Sequence, residues 1–172
     1  MDLQQYIRML RLCRKDPVLG KRHVAVLALV LFCGLTAGEI CRLRVTDIHL
    51  ENPCGIIVAD RKSPWVKIPR VAKPYIVSYL KWRGAQMVGK PGHDCFLISA
   101  NGSPVTTTHT LRYHYRKHAI SVDMEKYSFK HLRLAFIVCL INWGLTMNGL
   151  AALLDNKKVA GVIRPHCKTG LA

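Results

Sequence analysis

The chain has 172 residues, with 26 lysines and arginines against 10 aspartates and glutamates, a formal net charge of +16. Half of the residues are hydrophobic, which excludes an acidic tail or a wholly disordered chain. The length suits one domain that buries about 70% of its unfolded surface, and the charge calls for a polyanionic partner, nucleic acid before membrane.

Residues 3–15 set Leu3, Tyr6, Ile7 and Leu10 at helical spacing among basic residues, and Asp16-Pro17 with Gly20 ends that helix. His23 to Leu35 predicts a buried helix. Its apolar run, Val24 to Leu35, falls short of the ~20 residues of a bilayer span. A second run, 134–145, is broken by Asn142 and Gly144. The N-terminus lacks a signal-peptide layout, so the expectation is a cytoplasmic protein with no membrane partner. Residues 36–44 read as a turn and a short helix, and 45–50 lead into a turn at Glu51-Asn52-Pro53. GIIVAD (55–60) and WVKIP (65–69) read as strands joined by the tip Arg61-Lys62-Ser63-Pro64, a basic probe able to reach a ligand.

Lys73 to Met87 predicts a helix, 88–94 a Gly/Pro loop, 95–99 a short strand-like run, and Asn101-Gly102 a tight turn. Residues 106–119 predict a helix capped by threonine. It shows Arg112, Arg116 and Lys117 beside His109, His114 and His118, with Tyr113 and Tyr115 as aromatic surface. Ser128 to Trp143 predicts another helix and Met147 to Leu154 a short one. Asp155 to Lys158 reads as a polar loop, and Val159 to Ile163 opens a last helix that Pro165 stops. The fold class is mainly α with a small antiparallel β-sheet (α+β), in one domain over 1–172.

The 7 cysteines are scattered, with no C-x-x-C, and read as reduced thiols. His114 and His118 are four apart on one helix, but no cysteine pair stands near them. No metal or other cofactor is expected, and these histidines read as exposed or phosphate-contacting.

Five segments in order resemble the catalytic domain of the tyrosine recombinase (phage integrase) family. FCGLTAGEICRLRVTDI (32–48) is similar to that family's T-G-L-R-x-x-E-L-x-x-L-x-x-x-D-I helix pair. IIVADRKSPWVKIPR (56–70) resembles its lysine-bearing hairpin. CFLISANGSPVTTTHTLRYHYRKHA (95–119), YSFKHLRLAFIVCLINWG (127–144) and LAALLDNKK (150–158) resemble the segments that follow. The resemblance spans roughly 3–166 and implies the catalytic domain alone, without an N-terminal core-binding domain.

The family performs phosphoryl transfer. A tyrosine attacks a DNA phosphodiester while two arginines, a lysine and two histidine-class positions hold the phosphate and protonate the leaving oxygen. Such a transition state needs preset guanidinium clamps and a proton donor. Carried over residue by residue, the first arginine falls on Thr36, and the hairpin lysine on Arg61 or Lys62, with Lys62 favoured by position. The first histidine falls on Lys130, the second arginine on Arg133, and the last histidine of that motif on Leu134. The histidine of L-L-G-H falls on Asn156, and the tyrosine near Pro165. No tyrosine follows Tyr127.

The resemblance therefore implies remnant phosphate-binding positions at Lys62, Lys130 and Arg133, lost positions at Thr36, Asn156 and Pro165, and no enzyme activity. DNA contact is expected from Arg61, Lys62, Arg112, Arg116, Lys117, Lys130, His131 and Arg133. Glu39 reads as a structural acid. Arg42 and Arg44 either touch the DNA backbone or satisfy Glu39 and Asp47, and the tryptophans serve packing rather than base stacking. The expected function is an integrase-like binder of double-stranded DNA, a transcriptional regulator or accessory factor of a mobile element. Two alternatives are a divergent active recombinase and a protein-interaction module derived from one. A homo-oligomer or protein partner stays open.

Overall fold

The computed structural model describes residues 3–142, 144, 146, 149 and 150. Six helices run in chain order: α1 (Leu3–Lys15), α2 (Gly20–Cys33), α3 (Ala37–Arg42), α4 (Lys73–Met87), α5 (Thr108–Ile120) and α6 (Phe129–Asn142). Between α3 and α4 lie a 3₁₀ turn (Val45–Asp47) and three strands, β1 (Ile48–His49), β2 (Gly55–Ile57) and β3 (Trp65–Lys67). The strands form one antiparallel sheet in the order β1-β2-β3, pairing Ile48 with Ile56 and Ile56 with Val66.

α2 is the centre of the fold. Its apolar stretch, Val24 to Val30, is buried throughout. A helix apolar on every side must be covered on every side, and α1, α4 and α6 pack around it. Asp16 Oδ1 accepts the N–H groups of Val18 (3.0 Å) and Leu19 (2.8 Å), which shapes the bend into α2. Gly34 ends the helix at φ 64°, and the Leu35 N–H bonds back to the Leu29 carbonyl at 3.2 Å. Beside α2, α4 buries Tyr79 and Arg83. The Tyr79 hydroxyl donates to the Phe96 carbonyl and accepts from Ile98 N–H, while Arg83 donates to the carbonyls of His93 and Cys95.

The helices over 3–15 and 73–87 match the sequence expectation at both ends. The strands are shorter than expected; past Ile57 the Val58 N–H still bonds the Pro64 carbonyl (2.8 Å), but proline has no N–H to return a ladder bond. β1 was not expected: two residues carry no readable alternation. The 95–99 run makes isolated bridges, Arg44 with Cys95 and Ile98 with Pro104. α5 starts two residues later than expected, and its N-cap Thr107 makes no side-chain cap bond. Most of the 147–154 helix, the 155–158 loop, the 159–163 helix, Asn156 and Pro165 lie outside the described residues.

Candidate nucleic-acid interface

Five of the expected site residues are drawn towards one place by the start of α3, α5 and the start of α6. An open groove of about 670 Å³ there is lined by Thr36, Gly38, Arg112, Arg116, Lys130 and Arg133, and by one acid, Glu125. Arg112 and Arg116 are four apart on α5, and Lys130 and Arg133 three apart on α6, so each pair shares a helix face. Arg112, Arg116 and Lys130 are exposed and Arg133 is half-buried.

Beneath the groove sits a polar knot. Thr36 caps α3 in a capping box: its Oγ1 accepts the Glu39 N–H at 3.2 Å, and its own N–H donates to Glu39 Oε2 at 2.6 Å. Arg61 reaches the same carboxylate with two bonds, Nε to Oε1 at 2.7 Å and Nη2 to Oε2 at 2.9 Å. The Arg61 Nη2 also donates to the Gly34 carbonyl at 3.3 Å, and Arg133 Nε donates to that carbonyl at 2.9 Å. Two guanidiniums thus converge on the C-terminus of α2, where the partial charge is negative and last-turn carbonyls lack helix partners.

Burial would raise the Glu39 carboxyl, yet the hydrogen bonds from Arg61 and Thr36 bring it below its ordinary value. Burial lowers the Arg133 guanidinium, with Glu39 pulling it up and Arg61 pushing it down.

Several expectations change here. Arg61 is no exposed probe: it is 6% exposed and folded back onto Glu39. The reason is the buried carboxylate, which is costly unless paired. Of the two tip residues Arg61 bonds Glu39 in the knot, and Lys62 is exposed on the tip. Lys117 and His131 are exposed but do not line the groove. His131 instead accepts the Ser128 N–H at Nδ1 (3.0 Å), at the start of α6.

Tyr115 is buried at 8% exposure against Phe129 and is not aromatic surface, whereas Tyr113 is exposed. Arg42 pairs with Asp60 at 2.9 Å and the Arg44 side chain lies 4.0 Å from Asp94, neither meeting Glu39, while the Arg44 backbone N–H donates to Asp47 Oδ2 at 2.8 Å. Trp65 lies over Gly55, where a Cβ would come within 2.3 Å of its ring, and Trp82 stacks on Tyr79.

The histidines of α5 depart furthest from expectation. His118 is buried, and its Nε2 lies 3.0 Å from Nδ1 of His23 on α2. His114 packs its ring 4.9 Å from that of His23. Asp16 Oδ2 lies 3.7 Å from His23 and 4.0 Å from His118. Asp16, His23 and His118 could in spacing hold a metal ion, their donor atoms all lying within 4.8 Å of one another.

The tautomer opposes it. Arg22 Nη2, which can only donate, lies 3.0 Å from His23 Nε2. That nitrogen must accept, so the neutral ring carries its proton on Nδ1 and gives it to His118. A metal-bound histidine needs the reverse, an acceptor facing its outer N–H. Sequence reasoning missed this cluster and the partner of Glu39; it read Glu39 as a structural acid but did not pair it with Arg61.

Comparisons with known proteins agree with the geometry. Tyrosine recombinase XerD of Proteus mirabilis is 28% identical over 152 residues, covering 86% of this chain and 48% of that protein. Tyrosine recombinase XerC of Anoxybacillus flavithermus is 24% identical over 148 residues, covering 82% of this chain and 48% of that protein. The chain therefore spans about half the length of these curated relatives. Among solved structures, XerA recombinase superposes with a TM-score of 0.80 at 20% identity, covering 100% of this chain and 60% of that one. The Tn1549 transposon integrase in complex with circular intermediate DNA gives 0.75 at 17% identity, covering 95% and 59%.

The relatives overturn the expectation of a non-enzyme, since each of them is a named tyrosine recombinase. That expectation rested on Thr36 at the first arginine position and on the lack of a tyrosine after Tyr127. With residues 1–164 matching the phage integrase family model, the chain belongs to the phage integrase family.

Proposed function

We propose that this chain holds double-stranded DNA in the groove between α3, α5 and α6 and serves DNA recombination as a recombinase catalytic domain does. The observation that carries the reading is the convergence of Arg112, Arg116, Lys130 and Arg133 on one open groove. Guanidinium forks fit phosphate oxygens bidentately, and a lysine adds a mobile point charge. Arg133 commits only its Nε to the Gly34 carbonyl among the bonds described, so its terminal nitrogens remain the part that faces a ligand. Lys62 on the exposed hairpin tip and Lys117 on α5 extend the basic surface beyond the groove. The homology to recombinases, and the DNA held by the Tn1549 integrase to which the fold is similar, support the same partner.

The test is a binding titration against salt with a labelled duplex. Four phosphate contacts give a log–log slope of about −3.6, and each alanine change at Arg112, Arg116, Lys130 or Arg133 reduces it by about 0.9. Binding that is absent at low salt, or slopes unmoved by these changes, refutes the reading. A nicked suicide duplex then separates two employments of the same grip. A covalent adduct lost in Arg133→Ala assigns strand transfer, and tight binding with no adduct assigns an accessory or regulatory part in a mobile element.

A further inference from the structure

We infer that Arg61 is a positioning residue: by saturating Glu39 it leaves Arg133 available to the groove. The inference rests on the DNA reading above and adds to it the reason why a buried ion pair lies under the site. Three groups compete at one point. Glu39 is a carboxylate with 12% of its side chain exposed, Arg61 meets both of its oxygens, and Arg133 shares the Gly34 carbonyl with Arg61. Glu39 also attracts Arg133 directly.

A buried carboxylate that lost Arg61 would still need a cation. Arg133 is the basic group already attracted to it and bonded alongside. It would turn from the groove onto Glu39, and its terminal nitrogens would be spent there instead of on phosphate. Arg61 is delivered by the turn at the hairpin tip, where its N–H bonds the Val58 carbonyl at 3.1 Å, so the hairpin holds the charge balance of a groove it does not line.

The experiment is a charge-rescue cycle read by anisotropy of a fluorescent duplex, with circular dichroism confirming that each variant is folded. Arg133→Ala in the parent weakens binding about tenfold, as for a charge-assisted contact. Arg61→Gln weakens it by a similar factor, and adding Arg133→Ala to Arg61→Gln costs at most about twofold more, because Arg133 has already left the groove. The neutral pair Arg61→Gln with Glu39→Gln frees Arg133 and restores binding to within about threefold of the parent, again sensitive to Arg133→Ala.

A merely structural role predicts the opposite order, with the double variant worse than either single. If Arg61→Gln binds as weakly alone as with Glu39→Gln, or the two arginine changes add in full, the inference falls. If Arg61→Gln does not fold, the neutral pair decides alone: parental affinity that depends on Arg133 supports the inference, and loss of that dependence overturns it. If Arg133→Ala has no effect in the parent, it is the DNA reading of the groove that fails.

Discussion

The histidine cluster makes stability depend on pH in a direction the structure specifies. Burial pushes the His23 imidazole down from 6.5 to about 3, helped by Arg22, His118 and His114, and Asp16 opposes only in part. His118 and His114 are also held below their ordinary value, by burial first, with Lys117 adding to it. A group whose folded pKa lies below its unfolded one favours the native state fully above the unfolded value. That stability is lost as pH falls from about 6.5 towards 3, at about 1.4 kcal/mol per pH unit for one such group.

For His23, 6% exposed, the loss between pH 7 and pH 5 is about 2 kcal/mol. In a domain of this size that is a fall in Tm of roughly 4–8 °C. Asp16 and Glu39, both held below their ordinary values, act in a lower window and leave this one to the histidines. The assay is thermal unfolding by circular dichroism at the two pH values, on the parent and on His23→Gln. Glutamine can accept from Arg22 and donate to His118, but it does not titrate. The variant is expected to lose about 2 kcal/mol less than the parent between pH 7 and 5. Equal losses would refute the claim that a buried neutral His23 sets the slope.

Three further outcomes follow from single contacts. Thr36→Ala removes both hydroxyl bonds of the α3 capping box and should lower stability by about 1 kcal/mol in urea titration. Gly34→Ala forces a side chain onto φ 64° and brings its Cβ within 2.4 Å of the Phe136 ring, so a loss of roughly 2–3 kcal/mol is expected. Tyr115→Phe deletes a buried hydroxyl that has no partner among the described residues and should raise stability by about 1 kcal/mol, seen as a higher Tm.

Much of this protein was readable from local pattern. The helix over 73–87 announces itself by Lys73-Pro74 at its start, since proline suits the first turn. The buried α2 shows as the apolar run Val24 to Leu35, although the helix itself spans Gly20–Cys33 and stops at Gly34 in the left-handed conformation. The grouping of Arg112, Arg116, Lys130 and Arg133 follows from helical spacing once the family's segment order is noticed, and the structure joins them in one groove. Charge and periodicity are local properties, so a sequence carries them openly.

What depended on the tertiary structure is the fate of each polar side chain. A hairpin arginine reads the same whether it faces solvent or folds back, and Arg61 folds back because Glu39, 22 residues earlier, is buried within its reach. His118 looks like a surface histidine on a basic helix until α2 brings His23, 95 residues away in sequence, to 3.0 Å. Sequence alone determined the helices, the small sheet, the basic character and the family's motif order. Packing alone decided which charges are neutralised inside and which are left to meet a ligand, because desolvation depends on neighbours that are distant in the chain.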